Sequence, residues 1–281
     1  MLKELKEKLR WLDPFTYVDM FIVDKVKGQN KTIQNIVFLF SMALVSVLFY
    51  LFAIKGAELS FLPIIIFIVF TALIYFVLKE EYVEWGIYLA TAFILALVVF
   101  SASGLILGTD SPMVIVVSGS MEPFYYRGDV VFLQGVPPEQ LVGKEVTIDR
   151  SLKGIPLSQL GRIIRSNGET TAIQFNDGPL LELDAKGDIV VYPSSYINGP
   201  VIHRIVAKIN AKDGIYLITK GDNNTKLDQE TAISPTLVDA SKITGRSVFD
   251  IPAIGYVKLI LFDDLSILIF GCPNQLGCPF P

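Results

Sequence analysis

The sequence predicts a membrane protein in which three N-terminal transmembrane helices lead into a mainly β domain, a partly closed barrel or sandwich. Three observations point there. Hydrophobic residues make up 52% of the 281 positions and charged residues only 19%, an imbalance that neither an ordinary soluble domain nor a disordered chain carries. The excess falls in three uncharged runs within the first 107 residues. From Gly108 onward, short β-branched runs alternate with Gly, Pro, Asn and Asp turns.

The runs are Ile36 to Ile54 (19 residues), Leu59 to Leu78 (20 residues) and Gly86 to Leu107 (22 residues). Each is long enough, as a helix rising about 1.5 Å per residue, to cross a hydrocarbon core about 30 Å thick. Core helices of a large soluble protein would keep a polar face for water, and these runs have none. The first run starts too far into the chain, and ends without an Ala-x-Ala-like site, to be a cleaved secretory signal. Seven Lys and Arg lie in residues 1–31, against one cation in each loop between runs, at Lys55 and Lys79. That asymmetry predicts a cytoplasmic N-terminus and, after three crossings, an extracytoplasmic C-terminal half of a multi-pass cell-membrane protein. Residues 1–35 form a basic arm in which Leu2, Leu5, Leu9 and Leu12 share a helix face beside Trp11. This face suits the bilayer surface, or equally docking onto the rest of the protein.

Residues 36–107 are thus read as the anchor, 108–253 as the β-rich domain and 254–281 as an interfacial segment. Strands are expected near Val114–Val117, Val130–Leu133, Glu145–Ile148, Thr171–Phe175, Ile189–Tyr192, Val201–Ile209, Ile215–Thr219 and Ile243–Ile251. The last apolar stretch, Ile254 to Phe270, is interrupted by Lys258, Asp263 and Asp264, which argues against a fourth span. Beyond it, Cys272 and Cys278 are a candidate disulfide on the exported side, with two unpaired thiols the alternative. A formal net charge of −4 leaves no basic surface for nucleic acid. Two cysteines and a single histidine cannot furnish a structural zinc site, and no cofactor is expected.

Chemistry is concentrated in a few positions. Ser120 follows Gly119 at the end of an expected strand and precedes Pro123, a turn that can expose its hydroxyl. His203, in VIHRIV, is the only imidazole available to activate a serine. In LITKGDNNTKLDQE, Asp222 and Asp228 both offer a carboxylate that could fix the histidine tautomer. Asn223-Asn224-Thr225 also fits the N-glycosylation acceptor pattern, which short sequences often match by chance.

SGSMEP, RGDVV, GDIVVY, HRI, TKGDNN and GRSVFDIPAIGYV, in that order, resemble the ordered blocks of signal peptidase I. They extend from Val114 to Val257, and the histidine is similar to that of the archaeal and endoplasmic-reticulum branch; the bacterial branch has a lysine base there. The resemblance implies a Ser-His-Asp endopeptidase with Ser120 as nucleophile and His203 as general base. It implies Asp228 as the first-ranked orienting acid, with Asp222 supporting. Ser118 then falls at the oxyanion position, with the Ser120 N–H, and Met121 beside it at the substrate-binding position. Two features depart from the simplest members: the two extra spans, and residues 143–186, an insertion between RGDVV and GDIVVY that is read as a lid, a partner surface or an inert excursion.

The implied substrates are membrane-bound preproteins cut after small residues, with the bilayer and further membrane subunits as partners. Because Gly108 to Val117 alone separates the third run from the SGSMEP block, cleavage is expected near the outer membrane surface. Two alternatives remain at this stage: a membrane serine peptidase for another class of surface-protein precursor, and a non-catalytic subunit that binds precursors. A rhomboid-like intramembrane protease is disfavoured because Ser120 lies outside the runs.

Overall fold

The computed structural model describes residues 13–54, 81–176, 178–194 and 199–260. The chain divides into two compact units, Met1–Ala102 and Ser103–Pro281.

In the first unit, Asp13 opens helix α1 (Pro14–Val18) by accepting the Phe15 N–H at 3.0 Å, with Pro14 at a position where its missing N–H costs nothing. A π-helical stretch, Asp19–Val23, continues into α2 (Asp24–Lys27). Asn30 then caps α3 (Lys31–Ile54), its side-chain oxygen 3.0 Å from the Ile33 N–H. The last helix is α4 (Tyr82–Leu107). Phe38 and Met42 of α3 pack with Val23, Tyr82, Val83 and Ile87 in one buried cluster. Gly86 permits the close approach: a Cβ there would stand 2.7 Å from the Phe38 ring.

This arrangement corrects the three-span anchor. Among the described residues one helix, α4, is long and apolar enough to cross a membrane. The first expected span, Ile36–Ile54, lies in α3, whose described side chains, Lys31–Val47, make a shorter apolar helix. Its stripe of Gln34, Phe38, Ser41, Met42 and Val45 is buried inside the protein. A count of apolar residues does not distinguish a side chain covered by a neighbouring helix from one covered by lipid. The multi-pass assignment is left with one candidate span among the described residues. The second expected span, Leu59–Leu78, the arm at residues 1–12, and the candidate disulfide Cys272–Cys278 lie outside the described residues, as does the C-terminal segment past residue 260.

The second unit is mostly β. Its main sheet runs β1 (Met113–Ile115), β2 (Val130–Gln134), β11 (Gly245–Ile251), β7 (Ile189–Pro193), β8 (Pro200–Ala211), β9 (Gly214–Lys220) and β10 (Val238–Asp239), with β3 (Glu145–Ile148) parallel to β8. The path is open, ending at β1 and β10. The last strand, β11, inserts between β2 and β7, and Phe249 stacks on Phe132 across the β2 ladder with ring centroids 4.2 Å apart. A second sheet of three strands, β4 (Gly161–Ser166), β5 (Glu169–Phe175) and β6 (Leu180–Glu182), falls within residues 143–186.

β8 is the spine. It pairs with β7 along its first half, β3 along its second and β9 on its other side, and the unbroken burial of His203 to Ile209 shows that both its faces are covered. Its polar residues are therefore partnered. Lys208, for example, donates to the carbonyls of Glu139 (2.8 Å) and Leu141 (3.2 Å) and pairs with Glu145 at 3.1 Å. Around it lie fully buried Ile205, Ile209, Leu217 and Ile218, each worth about 1.5–3 kcal/mol of burial.

Candidate active site

β1 ends at Ile115, and after Val116 and Val117 the chain turns through Ser118, Gly119 and Ser120. Met121 anchors this turn. It is fully buried among Val116, Tyr125, Val131 and Leu133, and its carbonyl accepts the Phe124 and Tyr125 N–H groups at 2.9 and 3.0 Å. The resemblance puts Met121 at the substrate-binding position; its side chain packs into the core beside Ser120. The Glu122–Pro123 peptide is cis.

Ser120, His203 and Asp228 lie in line. Ser120 Oγ is 3.0 Å from His203 Nε2, and His203 Nδ1 is 2.8 and 2.7 Å from the two Asp228 oxygens. His203 comes from the first half of β8, opposite Val190 of β7, and is 3% exposed; Asp228, in the short turn Asp228–Glu230, is wholly buried. An ionised carboxylate can only accept, so Nδ1 carries the imidazole hydrogen and Nε2 is left with its lone pair toward the Ser120 hydroxyl. The Ser118 hydroxyl is 3.2 Å from Ser120 Oγ, on the exposed side.

The second acid does a different job. Asp222 does not face the imidazole: Arg204, the next residue on β8, grips it through Nε at 2.8 Å and a terminal nitrogen at 2.7 Å. Arg204 also donates to the Gly187 carbonyl at 3.0 Å and lies 4.9 Å from the centre of the Phe124 ring. Alternation along β8 explains the split, since consecutive residues of a strand point to opposite faces. The same loop supports the Ser120 turn: Asn223 N–H donates to the Ser120 carbonyl at 2.9 Å and its side-chain nitrogen to the Gly119 carbonyl at 3.1 Å. That amide, the acceptor atom of the glycosylation pattern, is thus engaged in holding the Ser120 turn.

Sequence reasoning missed the groups behind Asp228. Tyr192, buried at the end of β7, donates to an Asp228 oxygen at 2.6 Å and lies 3.0 Å from the Thr219 hydroxyl. Burial, and next the charge of Asp228, hold the Tyr192 phenol far above its ordinary range, so it remains a neutral donor. Gln229 closes the set by accepting the Thr219 N–H at 3.1 Å. The available signal was the tyrosine ending the apolar run IVVY, because a buried phenol needs a polar partner.

A buried carboxylate that orients an imidazole, with the imidazole in reach of a half-exposed serine, is the constellation of nucleophilic acyl transfer. No protein-family model matches the chain. Curated relatives do. The "Signal peptidase complex catalytic subunit SEC11" of Verticillium alfalfae is 30% identical over 64% of this chain and 79% of its own length. The protein of the same name from Pyricularia oryzae is 31% identical over 64% of this chain and 79% of its own. Its namesake in Dictyostelium discoideum is 27% identical over 69% of this chain and 82% of its own. With identity at that level over about four-fifths of the relatives, this chain belongs to the signal peptidase family represented by the SEC11 catalytic subunits.

Proposed function

We propose that the chain is a membrane-associated serine endopeptidase that removes signal peptides from preproteins, with Ser120 as nucleophile, His203 as general base and acid, and Asp228 as the group that orients it. The observation that carries the roles is the unbroken line from Ser120 Oγ through both His203 nitrogens to Asp228.

Ser120 Oγ attacks the scissile carbonyl as its proton passes to His203 Nε2, and Asp228 stabilises the imidazolium. The oxyanion is received by the Ser118 hydroxyl and the Ser120 N–H. Collapse breaks the C–N bond, and His203 returns the proton to the leaving amine. Water then attacks the acyl-serine, giving one proton to His203, and the released Ser120 oxygen takes it back. None of these steps calls on Asp222, whose pairing with Arg204 braces the loop behind the nucleophile.

β1 is an edge strand, bonded on one side by β2, and it leads directly to the serines. An extended peptide can add there as a further strand, its backbone supplying affinity and its alternate side chains being tested for size. Such reading suits junctions of the Ala-x-Ala kind. Membrane association rests on α4. The seven cations of residues 1–31, against Arg127 alone in residues 108–127, support the β-rich unit on the exported side. By analogy with the relatives' name, the enzyme works beside other subunits of a complex.

The test is cleavage of a model preprotein in detergent by wild type and Ser120→Ala, with the product N-terminus sequenced. Wild type cuts after a small residue and the variant does not. Equal cutting by both would remove Ser120 from the mechanism.

A further inference from the structure

The turn that carries Asp228 belongs to a long stretch without ladder support: β9 ends at Lys220 and β10 begins at Val238. An orienting carboxylate has to be held within about 0.5 Å to be useful. Tyr192 and the Thr219–Gln229 bond hold it from the main sheet. Its other side is held by the second sheet, from the segment 143–186.

β4 and β5 are joined by a hairpin whose tip residues, Asn167 and Gly168, have φ of 52° and 85°. This left-handed pair is what a tight two-residue turn requires. The turn sets Arg165 opposite Thr170 across the ladder, and both side chains reach Glu230. Thr170 Oγ1 donates to Glu230 Oε2 at 2.7 Å, and the Arg165 guanidinium pairs with Oε1. Glu230 Oε2 also accepts the Leu227 N–H at 2.9 Å, closing the turn around Asp228. The Thr170 N–H donates to the Thr225 carbonyl, also at 2.9 Å. The Glu230 side chain is 5% exposed, so these bonds face little competition from water.

We propose that the β4–β5 hairpin is a positioning device for the catalytic triad: Arg165 and Thr170, acting through Glu230, hold the Asp228 carboxylate against His203 Nδ1. The proposal rests on the triad reading given above. None of the three residues touches the reacting atoms; they fix the short turn from both flanks, at Thr225 and at Glu230, with Asp228 between. The segment that interrupts the motif order thereby gains a role in the rate of the chemical step, without any contact to substrate.

The experiment uses the full-length protein in detergent, a model preprotein with an Ala-x-Ala junction, and single-turnover kinetics across substrate concentration. Thr170→Val keeps the branched shape and removes the hydroxyl, while Thr170→Ser keeps the hydroxyl. Losing a hydrogen bond to a charged acceptor lowers the maximal single-turnover rate about 10-fold in Thr170→Val, with half-saturation unchanged. Thr170→Ser restores the wild-type rate, and Glu230→Ala falls further, by about 100-fold. If Glu230→Ala fails to fold, the Thr170 pair decides alone. Wild-type rates for Thr170→Val with Ser120→Ala inactive would overturn the positioning role and leave the triad standing. A raised half-saturation concentration at unchanged rate would also overturn it, because the hairpin would then act on substrate binding. Activity of Ser120→Ala at the wild-type level would instead bring down the triad reading itself.

Discussion

Gly221 occupies the tightest point of the site. A Cβ there would stand 2.6 Å from the Ser120 carbonyl oxygen, 2.7 Å from Asn224 Nδ2 and 2.9 Å from His203 Nε2. The glycine is not in the left-handed region, so alanine meets no backbone strain and the substitution isolates the steric effect. Asn224 can swing away at small cost. To regain ordinary contact at 3.4 Å, however, the Ser120 carbonyl must withdraw by about 0.8 Å and the imidazole by about 0.5 Å. Both groups belong to the 3.0 Å approach of nucleophile and base. Because a misplacement of about 1 Å costs on the order of 100-fold, Gly221→Ala should lower the chemical rate about 10- to 100-fold. Overpacking should lower stability by about 1–3 kcal/mol. Single-turnover cleavage of a preprotein gives the first quantity and a denaturant titration the second. A folded alanine variant with the wild-type rate would refute the described juxtaposition of Gly221, Ser120 and His203.

Asp228→Asn frees the imidazole to take the wrong tautomer and should cost about 10⁴-fold in rate, whereas Asp222→Asn, which weakens the Arg204 pair, should act mainly on stability. Equal rate losses for the two would mean that both carboxylates serve the histidine. Tyr192→Phe removes a donor from a buried carboxylate and should destabilise the fold by about 1.5–3 kcal/mol, measured in urea; an unchanged midpoint would place another donor on Asp228. Burial alone would raise the Glu230 carboxyl, but bonds from Thr170, the Leu227 N–H and Arg165 outweigh it and hold it below its ordinary value of 4.5. The stabilisation is complete above about pH 4.5 and is lost as pH falls through the lower native value, because the unfolded chain takes up the proton first. Thermal melts between pH 3 and 7 should therefore show a smaller acid loss in Glu230→Gln than in wild type, and identical profiles would count against the assignment.

What could be read in the sequence depended on how local the signal was. β2, β3 and β7 are short β-branched runs bounded by turn residues, so periodicity and punctuation locate them to within a residue or so. β4 (GRIIRS) hides behind two arginines, and its pairing is visible only once the Asn167–Gly168 turn is recognised. β10 is two residues long and owes its existence to β9 alone. Hydropathy overcounted the spans because Phe38 and Met42 look the same beside Tyr82 as they would beside lipid. In the site, His203 stands out as the single histidine of the chain, and Ser120 is picked out from Ser118 by its place in the SGSMEP block. The division of labour between Asp222 and Asp228 does not stand out, since it depends on which faces of β8 carry His203 and Arg204. Tyr192 reaches Asp228 from 36 residues away and Thr170 reaches Glu230 from 60, and only the folded chain brings either pair together.

The insertion of β11 between β2 and β7 makes the last strand in chain order the join between the two parts of the main sheet. Ser120 is carried by the β1–β2 hairpin, while His203 and Asp228 belong to the β7–β8–β9 half, and the ladder joining the two halves is the last strand of the sheet. A chain that reaches only as far as Asp239 holds Ser120, His203 and Asp228 and lacks the strand that pairs with both β2 and β7. The sheet that spans Ser120 and His203 is therefore continuous only once residues 245–251 have joined it.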